Sequence, residues 1–278
     1  MTDDPWFRTT GAERPSAPPA FDTEVAHIAR VQDYWLGGKD HFRADREAGD
    51  EAVKAFPGLV ASVRNTRAFL ARAVSHLAGE AGIRQFLDIG TGIPAADNTH
   101  EVAQSIAPES RIVYTDHDPA VLAHARALLT SRPEGATAYL DADLRDPEKI
   151  LAEAAETLDF SRPVALMLVA VLHCVPDQDD PYGIVARLLE AMPPGSHLVV
   201  SHPASDLRAD QMGAMAKSLN RVMAQKVTPR SFEDVSRFFA GLELIEPGIV
   251  RASEWRPDPR FDVGTMTSTM WSGIARVP

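Results

Sequence analysis

Between residues 84 and 201, short apolar runs alternate with longer stretches of helical periodicity. The apolar runs are 84–89, 111–115, 136–140, 163–170 and 196–201, and the helical stretches are 96–106, 119–131, 147–158 and 180–192. This alternation predicts parallel strands joined by right-handed helical crossovers. The run 163–170 is apolar throughout, which is typical of a central strand covered on both faces. We therefore expect an α/β fold with a doubly wound, Rossmann-like sheet.

The alternation stops after residue 201. Residues 206–240 have the pattern of one or two helices, and we expect their basic side chains, Arg230 among them, to form a solvated face. The runs 242–245 and 271–277 are strand-like, with no helical stretch between them. They predict a closing hairpin that places an antiparallel C-terminal strand at the sheet edge.

The chain before residue 81 has a different pattern. Residues 22–79 are amphipathic with helical periodicity, interrupted by a polar, glycine-containing segment at 33–42. We expect residues 21–80 to form a helical cap, with 33–42 as a lid, although an ordinary helix–helix connection would have the same composition. The cap and residues 81–278 would form one integrated domain. Residues 1–20 are polar and proline-rich, which predicts a disordered tail rather than a secretory signal.

The segment after the first predicted strand, 88–94, indicates a ligand site. Gly90 and Gly92 let the chain turn tightly and approach a ligand closely. Asp88 would repel a pyrophosphate, and Pro94 removes an amide that a dinucleotide would need at the helix start. Both features favour a cationic amino-acid group, such as the methionyl ammonium of S-adenosylmethionine. A glycine turn after a strand is nevertheless often only a turn.

Acidic residues also follow the second and third predicted strands. Asp116 is placed to accept hydrogen bonds from both hydroxyls of a ribose, because its two oxygens can accept two donors together. Asp143 is placed to accept the amino group of an adenine. Asp116 could instead cap a helix, and Asp143 could be a solvated surface charge. Acids at three successive strand ends predict a nucleoside ligand at this edge of the sheet.

Composition excludes several other classes of protein. The net charge of −11 argues against general binding to nucleic acid, which requires a basic surface. The single cysteine, Cys174, excludes an internal disulfide framework and is typical of a reducing compartment. No apolar run reaches the roughly 18 residues of a membrane span. We expect a cytoplasmic monomer or homodimer, without a metal site because the acidic loop at 177–180 lacks well-spaced histidines.

Several segments carry a resemblance to a known family, namely 29–42, 86–94, 98–104 and 171–177. On these segments the chain resembles the class I S-adenosylmethionine-dependent methyltransferases from about residue 22 to its C-terminus. More narrowly, it resembles a largely uncharacterised bacterial family labelled S-adenosyl methyltransferase. The resemblance implies a seven-stranded sheet and a methyl-donor site that includes Asp88, Gly90, Asp116 and Asp143. It does not identify the methyl acceptor.

The predicted cap supplies further candidates for the donor site. Tyr34 would pack near the sulfonium of the donor. One of Lys39, Arg64 and Arg67 would bind the methionyl carboxylate, for which a planar guanidinium is well suited. The complete set of expected donor-binding residues is Asp88, Gly90, Thr91, Gly92, Asp116, His117, Asp143, Leu144, Tyr34 and Arg67.

The acceptor side has one catalytic candidate, His173, which follows the central predicted strand. A histidine there could take a proton from the acceptor, or it could be a structural residue that shapes the pocket floor. His202, after the next strand, could also face the pocket. Met212, Met215 and Met223 could line an apolar acceptor pocket or pack in the core.

The favoured hypothesis is an enzyme that transfers a methyl group from S-adenosylmethionine to a small molecule, leaving S-adenosylhomocysteine. Direct in-line displacement would be accelerated by proximity and by exclusion of water. The alternative is a non-catalytic sensor that binds S-adenosylmethionine or S-adenosylhomocysteine. A third hypothesis is a nicotinamide oxidoreductase, since the glycine turn alone does not exclude a dinucleotide.

Overall fold

The computed structural model describes residues 22–128, 130–261 and 267–278, so the tail expected over residues 1–20 lies outside the described part. The helices are α1 (Ile28–Leu36), α2 (Arg43–Ala55), α3 (Leu59–Gly79), α4 (Thr99–Ile106), α5 (Pro119–Leu128), α6 (Pro147–Ala154), α7 (Pro181–Glu190), α8 (Ala209–Val222) and α9 (Phe232–Ser236). The strands are β1 (Gln85–Ile89), β2 (Arg111–Asp116), β3 (Ala136–Asp141), β4 (Ala165–Val169), β5 (His197–Pro203), β6 (Glu243–Leu244), β7 (Val250–Arg251) and β8 (Met270–Arg276). The alternation of strands and helices is the predicted one, although most helices are shorter than expected.

The strands form one sheet in the order β3-β2-β1-β4-β5-β8-β6, and β7 pairs separately with β8. Strands β1 to β5 are parallel, whereas β8 runs antiparallel to β5. This confirms the doubly wound α/β sheet with an antiparallel C-terminal strand. The short strand β6 pairs with the outer side of β8 and forms the edge itself. Strand β7 was not predicted, because two residues are too few to produce a recognisable alternation.

The strand order reverses at β1, which pairs with β2 on one side and with β4 on the other. In open α/β sheets, ligands bind in the crevice outside the carboxyl ends of the strands at this switch point. The glycine turn after β1 and the turn after β4 both lie there. The topology therefore places the predicted site residues around one crevice.

The central strands divide their side chains between two apolar clusters, one on each face of the sheet. In β1, Leu87 belongs to one cluster and Phe86 to the other, and in β4 Leu166 and Met167 divide in the same way. Successive side chains of a strand point to opposite faces, so a strand with no polar alternation is covered on both sides. This packing holds the ends of the strands, and the loops that follow them, in fixed positions.

Helices α1 and α2, the start of α3 and helix α8 pack together as a cap. The rest of α3, from Phe69 to Ala78, packs against the sheet, so the cap ends earlier than the expected residue 80. Val31, Met215 and Leu219 pack in a cluster that is separate from the two sheet clusters. Within the cap, buried Arg30 donates to the buried carboxylate of Asp45, with 2.9 Å between Nε and Oδ2. The cap therefore includes a helix that follows β5 as well as the N-terminal helices. Across the described ranges, every helix is too short or too polar to cross a membrane.

The first four residues of the segment predicted as a lid, 33–36, belong to helix α1. Helix α1 continues to Leu36, and Gly37 ends it in the left-handed conformation with φ of +84°. The amide of Gly37 donates to the carbonyl of Tyr34 at 3.0 Å, which is a common way for a helix to end. Residues 37–42 alone connect α1 to α2. Tyr34, which was expected in the lid, and its neighbour Trp35 therefore lie on a helix, which fixes the directions of their side chains.

Candidate functional site

Two adjoining cavities lie at the carboxyl ends of the parallel strands, and Gly90 lines both. The larger has a volume of about 850 Å³ and lies between the sheet and the cap. The smaller, of about 320 Å³, lies beyond the ends of β1, β2 and β3. Ligands of α/β proteins bind at this position in the sheet. The two cavities together are the candidate functional site.

The turn after β1 has the conformation that its glycines predict. Gly90 has φ of +73° and Gly92 has φ of +67°, both in the left-handed region. A Cβ atom added to Gly90 would lie 2.1 Å from Cγ2 of Val171, so this position has no room for a side chain. The Thr91 hydroxyl donates to the carbonyl of Asp88 at 3.2 Å, and Thr91 lines the larger cavity. The turn thus brings bare backbone to the boundary between the cavities.

Asp88 is buried and lines the larger cavity. Its Oδ2 accepts a hydrogen bond from the Thr99 hydroxyl at 2.6 Å. Burial raises the pKa of Asp88 to about 6, and the hydrogen bond from Thr99 and the nearby Arg67 guanidinium oppose that rise. A carboxylate in this position would be stabilised further by a cationic ligand group.

Arg67 is the cationic side chain that lines the larger cavity. Its Nη2 donates to the carbonyl of Ala96 at 2.7 Å, and its Nε is buried without a hydrogen-bond partner among the described residues. Burial lowers the pKa of Arg67, and neighbouring Asp88 opposes this. Lys39 and Arg64, the other two candidates for a carboxylate ligand, are exposed and do not line the cavity. The structure therefore brings only Arg67 of the three to the site.

Asp116 lies at the end of β2 and lines the smaller cavity. Its Oδ2 accepts from the amide of Gly92 and its Oδ1 from the amide of Asp118, each at 3.0 Å. A carboxylate has about four lone-pair directions, so each oxygen can accept one more donor. His117 also lines this cavity, and its imidazole packs edge-to-face against His27 of the cap.

Asp143 and Leu144 line the far end of the smaller cavity. Asp143 accepts from both the amide and the guanidinium of Arg145, each at 2.9 Å. Leu144 is buried in the core cluster of that face of the sheet. A carboxylate beside an apolar floor suits the edge and face of a purine ring. The described residues contain no group of three or more His, Cys, Asp or Glu that could hold a metal ion.

Tyr34 does not reach the cavities, which corrects the expectation that it packs near the donor. Its hydroxyl donates to Oδ1 of Asp50 at 2.7 Å, and its ring packs edge-to-face against His41. The α1 side chains that line the larger cavity include Gln32 and Trp35. Because a helix turns about 100° per residue, Tyr34 lies roughly 200° around the helix from Gln32. Tyr34 lies on a helix and not in a loop, so the helical period directs its side chain away from the larger cavity.

His173 lies in a short 3₁₀ helix (Leu172–Cys174) just after β4 and lines the larger cavity. Ala170, with φ of +55°, turns the chain from the strand into this helix. The His173 side chain is buried, and its Nδ1 has no hydrogen-bond partner among the described residues. Burial, with help from the charge of Arg230, lowers the pKa of His173 to about 4. The imidazole is therefore neutral near pH 7 and a weak base.

Arg230 holds the turn that carries His173, a role that was not predicted. It is buried, and it donates to the carbonyls of Leu172 at 3.0 Å and Val175 at 2.7 Å and to the carboxylate of Asp177 at 2.7 Å. The expectation of a solvated Arg230 is therefore wrong, because these acceptors belong to a distant part of the chain. No local sequence signal announces them.

His202 is a partner of Arg230 rather than a second cavity residue. Nη1 of Arg230 lies 2.9 Å from Nε2 of His202, and Nδ1 of His202 lies 3.0 Å from the carbonyl of Pro203. This arrangement places the ring proton on Nδ1 and makes Nε2 the acceptor. His202 is fully buried and does not line the larger cavity. It supports the guanidinium that holds the His173 turn.

The two methionines of α8 both line the acceptor side of the site and pack in the core, whereas Met223, just after α8, does only the second. Met212 and Met215 line the larger cavity and are also buried members of the cap cluster. Met223 packs in the cluster without lining the cavity. The cavity thus has an apolar roof formed by the cap and α8.

Comparisons with known proteins agree with this architecture. A family profile described as S-adenosyl methyltransferase matches residues 14–278. A DUF574 family protein from Streptomyces avermitilis has 48% sequence identity and a TM-score of 0.89, over 92% of this chain and 99% of that chain. A candidate methyltransferase from Thermobifida fusca has 42% identity and a TM-score of 0.83, over 92% of this chain and 96% of that chain. No curated protein matches the sequence.

Proposed function

The chain belongs to the S-adenosyl methyltransferase family, and from this premise we propose that it transfers the methyl group of S-adenosylmethionine to a small-molecule acceptor beneath the cap. Dependence on S-adenosylmethionine follows from the family. The observation that supports a small acceptor is the position of the larger cavity, which is enclosed by the cap and meets the acid-lined cavity at Gly90. A ligand in one cavity can therefore touch a ligand in the other.

The residues present fit the methyl donor. Asp116 would accept the ribose hydroxyls with the lone pairs that its amide donors leave free. Asp88 would accept the methionyl ammonium, and the unpartnered Nε of Arg67 would bind the carboxylate. Asp143 and Leu144 would hold the adenine. The three carboxylates and the guanidinium supply charges that complement the donor, and Leu144 supplies an apolar surface for the adenine.

The donor supplies an activated methyl group when bound, so the protein needs mainly to position the acceptor and exclude water. The cap and α8 close the cavity on the side away from the sheet. His173 is within the cavity wall and would take the proton that leaves the acceptor. The Arg230 contacts hold the turn that carries this imidazole.

Incubation of the protein with metabolite extracts and isotopically labelled S-adenosylmethionine tests the proposed transfer. We expect a labelled small-molecule product, detected by mass spectrometry, that does not form with heat-denatured protein. A variant with Asp116 replaced by alanine provides a matched control, since it should bind the donor about a hundredfold more weakly. Donor binding without any labelled product across many extracts would contradict the proposal and support the sensor hypothesis.

Substitution of His173 by alanine should lower turnover at least about tenfold while leaving the affinity for S-adenosylhomocysteine within about twofold. The reason is that the imidazole lines the acceptor cavity rather than the adenosine cavity. Turnover and calorimetric affinity measured on the same preparation separate these effects. Unchanged turnover would assign His173 a purely structural role.

The affinity for S-adenosylhomocysteine should depend on pH through Asp88. Since burial raises the pKa of Asp88 to about 6, the free protein is protonated there below pH 6 and must lose that proton to accept an ammonium. Affinity should therefore fall by up to about tenfold per pH unit below 6 and level off above 7. Calorimetry between pH 5 and 8 measures this. An Asp88→Asn variant should bind more weakly with a flat profile, and an identical slope in that variant would exclude Asp88 as the cause.

A further inference from the structure

The larger cavity offers almost no charge to an acceptor. Among the described residues that line it, Arg67 and Asp88 alone carry a formal charge, and the proposed function assigns both to the methyl donor. The part under the cap is lined by apolar side chains, including Trp35, Met212 and Met215. A charged acceptor group would therefore lose its hydration without gaining a partner, which is strongly unfavourable.

Most polar groups in the cavity wall already have partners. The hydroxyls of Ser62 and Thr269 lie 3.1 Å apart, and the hydroxyl of Thr66 donates to the carbonyl of Ser62. Two lining side chains, Gln32 and His173, make no hydrogen bond to the described part of the chain. These two are the groups that remain to orient an acceptor, and neither carries a charge near pH 7.

From this arrangement, and given the proposed function, we infer that the acceptor is an uncharged, apolar aromatic compound that is methylated on a phenolic hydroxyl. Thioether and indole side chains form favourable contacts with aromatic rings, which suits the walls provided by Met212, Met215 and Trp35. The hydroxyl would face His173. A neutral imidazole of low basicity takes a proton more readily from a phenol, whose pKa is about 10, than from an alkyl alcohol of far lower acidity.

The step balances without any further reactant. An electron pair of the phenolic oxygen forms the new bond to the methyl carbon, and the carbon–sulfur bond breaks with its pair left on sulfur. The hydroxyl proton passes to His173 and from there to water. The products are a methyl ether, S-adenosylhomocysteine and one released proton, so the positive charge of the donor leaves as that proton.

A set of probes with one ring system tests the substrate class. Naphthol, hydroxynaphthoic acid, aminomethylnaphthol and naphthylmethanol are offered with labelled donor, and binding of each to protein saturated with S-adenosylhomocysteine is measured by calorimetry. We expect naphthol to bind and to be methylated, and the anionic and cationic probes to bind at least about tenfold more weakly. Naphthylmethanol should bind but be methylated at least about tenfold more slowly, because its hydroxyl is less acidic.

Two variants of α8 test whether the probes bind in the larger cavity. Replacing Met215 by tryptophan fills the part of the larger cavity under the cap and should weaken naphthol binding at least about tenfold. The affinity for S-adenosylhomocysteine, whose methionyl group is assigned to Asp88 and Arg67, should change by less than about twofold. Ala214→Trp is the matched control, since Ala214 is exposed on the same helix, and both variants are checked for an unchanged melting temperature. If Met215→Trp does not fold, Met215→Lys replaces it, and naphthol should then lose affinity relative to hydroxynaphthoic acid.

Several outcomes would overturn the inferred substrate class. One is a charged probe that is methylated as fast as naphthol. Another is failure of phenol, naphthol and hydroxybiphenyl, which differ in size, to bind protein that retains S-adenosylhomocysteine. Failure to bind S-adenosylhomocysteine at all would instead contradict the proposed function, so the two failures are distinguishable.

Discussion

Replacing Gly90 with alanine is expected to lower the free energy of unfolding by about 2–5 kcal/mol, with loss of detectable donor binding. The left-handed backbone at φ of +73° costs a residue with a Cβ about 1–2 kcal/mol. The added Cβ would also lie 2.1 Å from Cγ2 and 2.6 Å from Cβ of Val171, which is fixed at the start of the His173 turn. Relief of that overlap must move the wall of the smaller cavity, which Gly90 and Val171 both line.

Gly92→Ala is the matched control for this variant. Gly92 has a similar φ of +67°, but an added Cβ would meet no atom within 4 Å. It should therefore cost only the backbone term of about 1–2 kcal/mol. Chemical denaturation gives both free energies, and calorimetry with S-adenosylhomocysteine gives the binding. Equal losses of stability for the two variants would show that the close approach of Val171 contributes nothing.

Replacing Asp116 with alanine should weaken the binding of S-adenosylhomocysteine by about a hundredfold, equivalent to about 2.7 kcal/mol. The substitution removes the acceptor of the two ribose hydroxyls. It would also leave the amides of Gly92 and Asp118 without their acceptor, which loosens the glycine turn and the start of α5. Hydrogen bonds to a charged acceptor are typically worth about 1.5–3 kcal/mol each, so the expected loss is conservative.

Asp141→Ala is a suitable comparison because Asp141 is the partner of Asp116 in the pairing of β2 with β3. Its side chain is exposed and does not line either cavity. Its removal changes the net charge by the same amount and should leave affinity within about twofold. A similar loss of affinity in both variants would point to long-range electrostatics instead of direct contact by Asp116.

The sheet and the acids at its carboxyl edge could be predicted because both depend on local patterns. The apolar run of β4 and the glycines after β1 each determine their own backbone, and the parallel topology then brings Asp88, Asp116 and Asp143 to one edge. Their chemical roles toward the donor remain predictions that the binding experiments above address.

The roof of the cavity and the support of His173 could not be predicted, because both depend on contacts between distant segments. Helix α8 carries the same apolar spacing whether it packs on the sheet or on the cap. Arg230 is one basic residue among several, and its acceptors at Leu172 and Val175 are more than fifty positions away. The position of Tyr34, in contrast, can be predicted from the sequence, because the helical period of α1 places it on the side away from the cavity.

A crystal structure of the complex with S-adenosylhomocysteine tests the central claim most directly. The account predicts adenosine in the smaller cavity, with the ribose hydroxyls on Asp116 and the adenine between Asp143 and Leu144. It also predicts the methionyl group in the larger cavity, with its ammonium on Asp88 and its carboxylate on Arg67. A ligand bound elsewhere, or bound in the crevice without contact to these carboxylates, would contradict it.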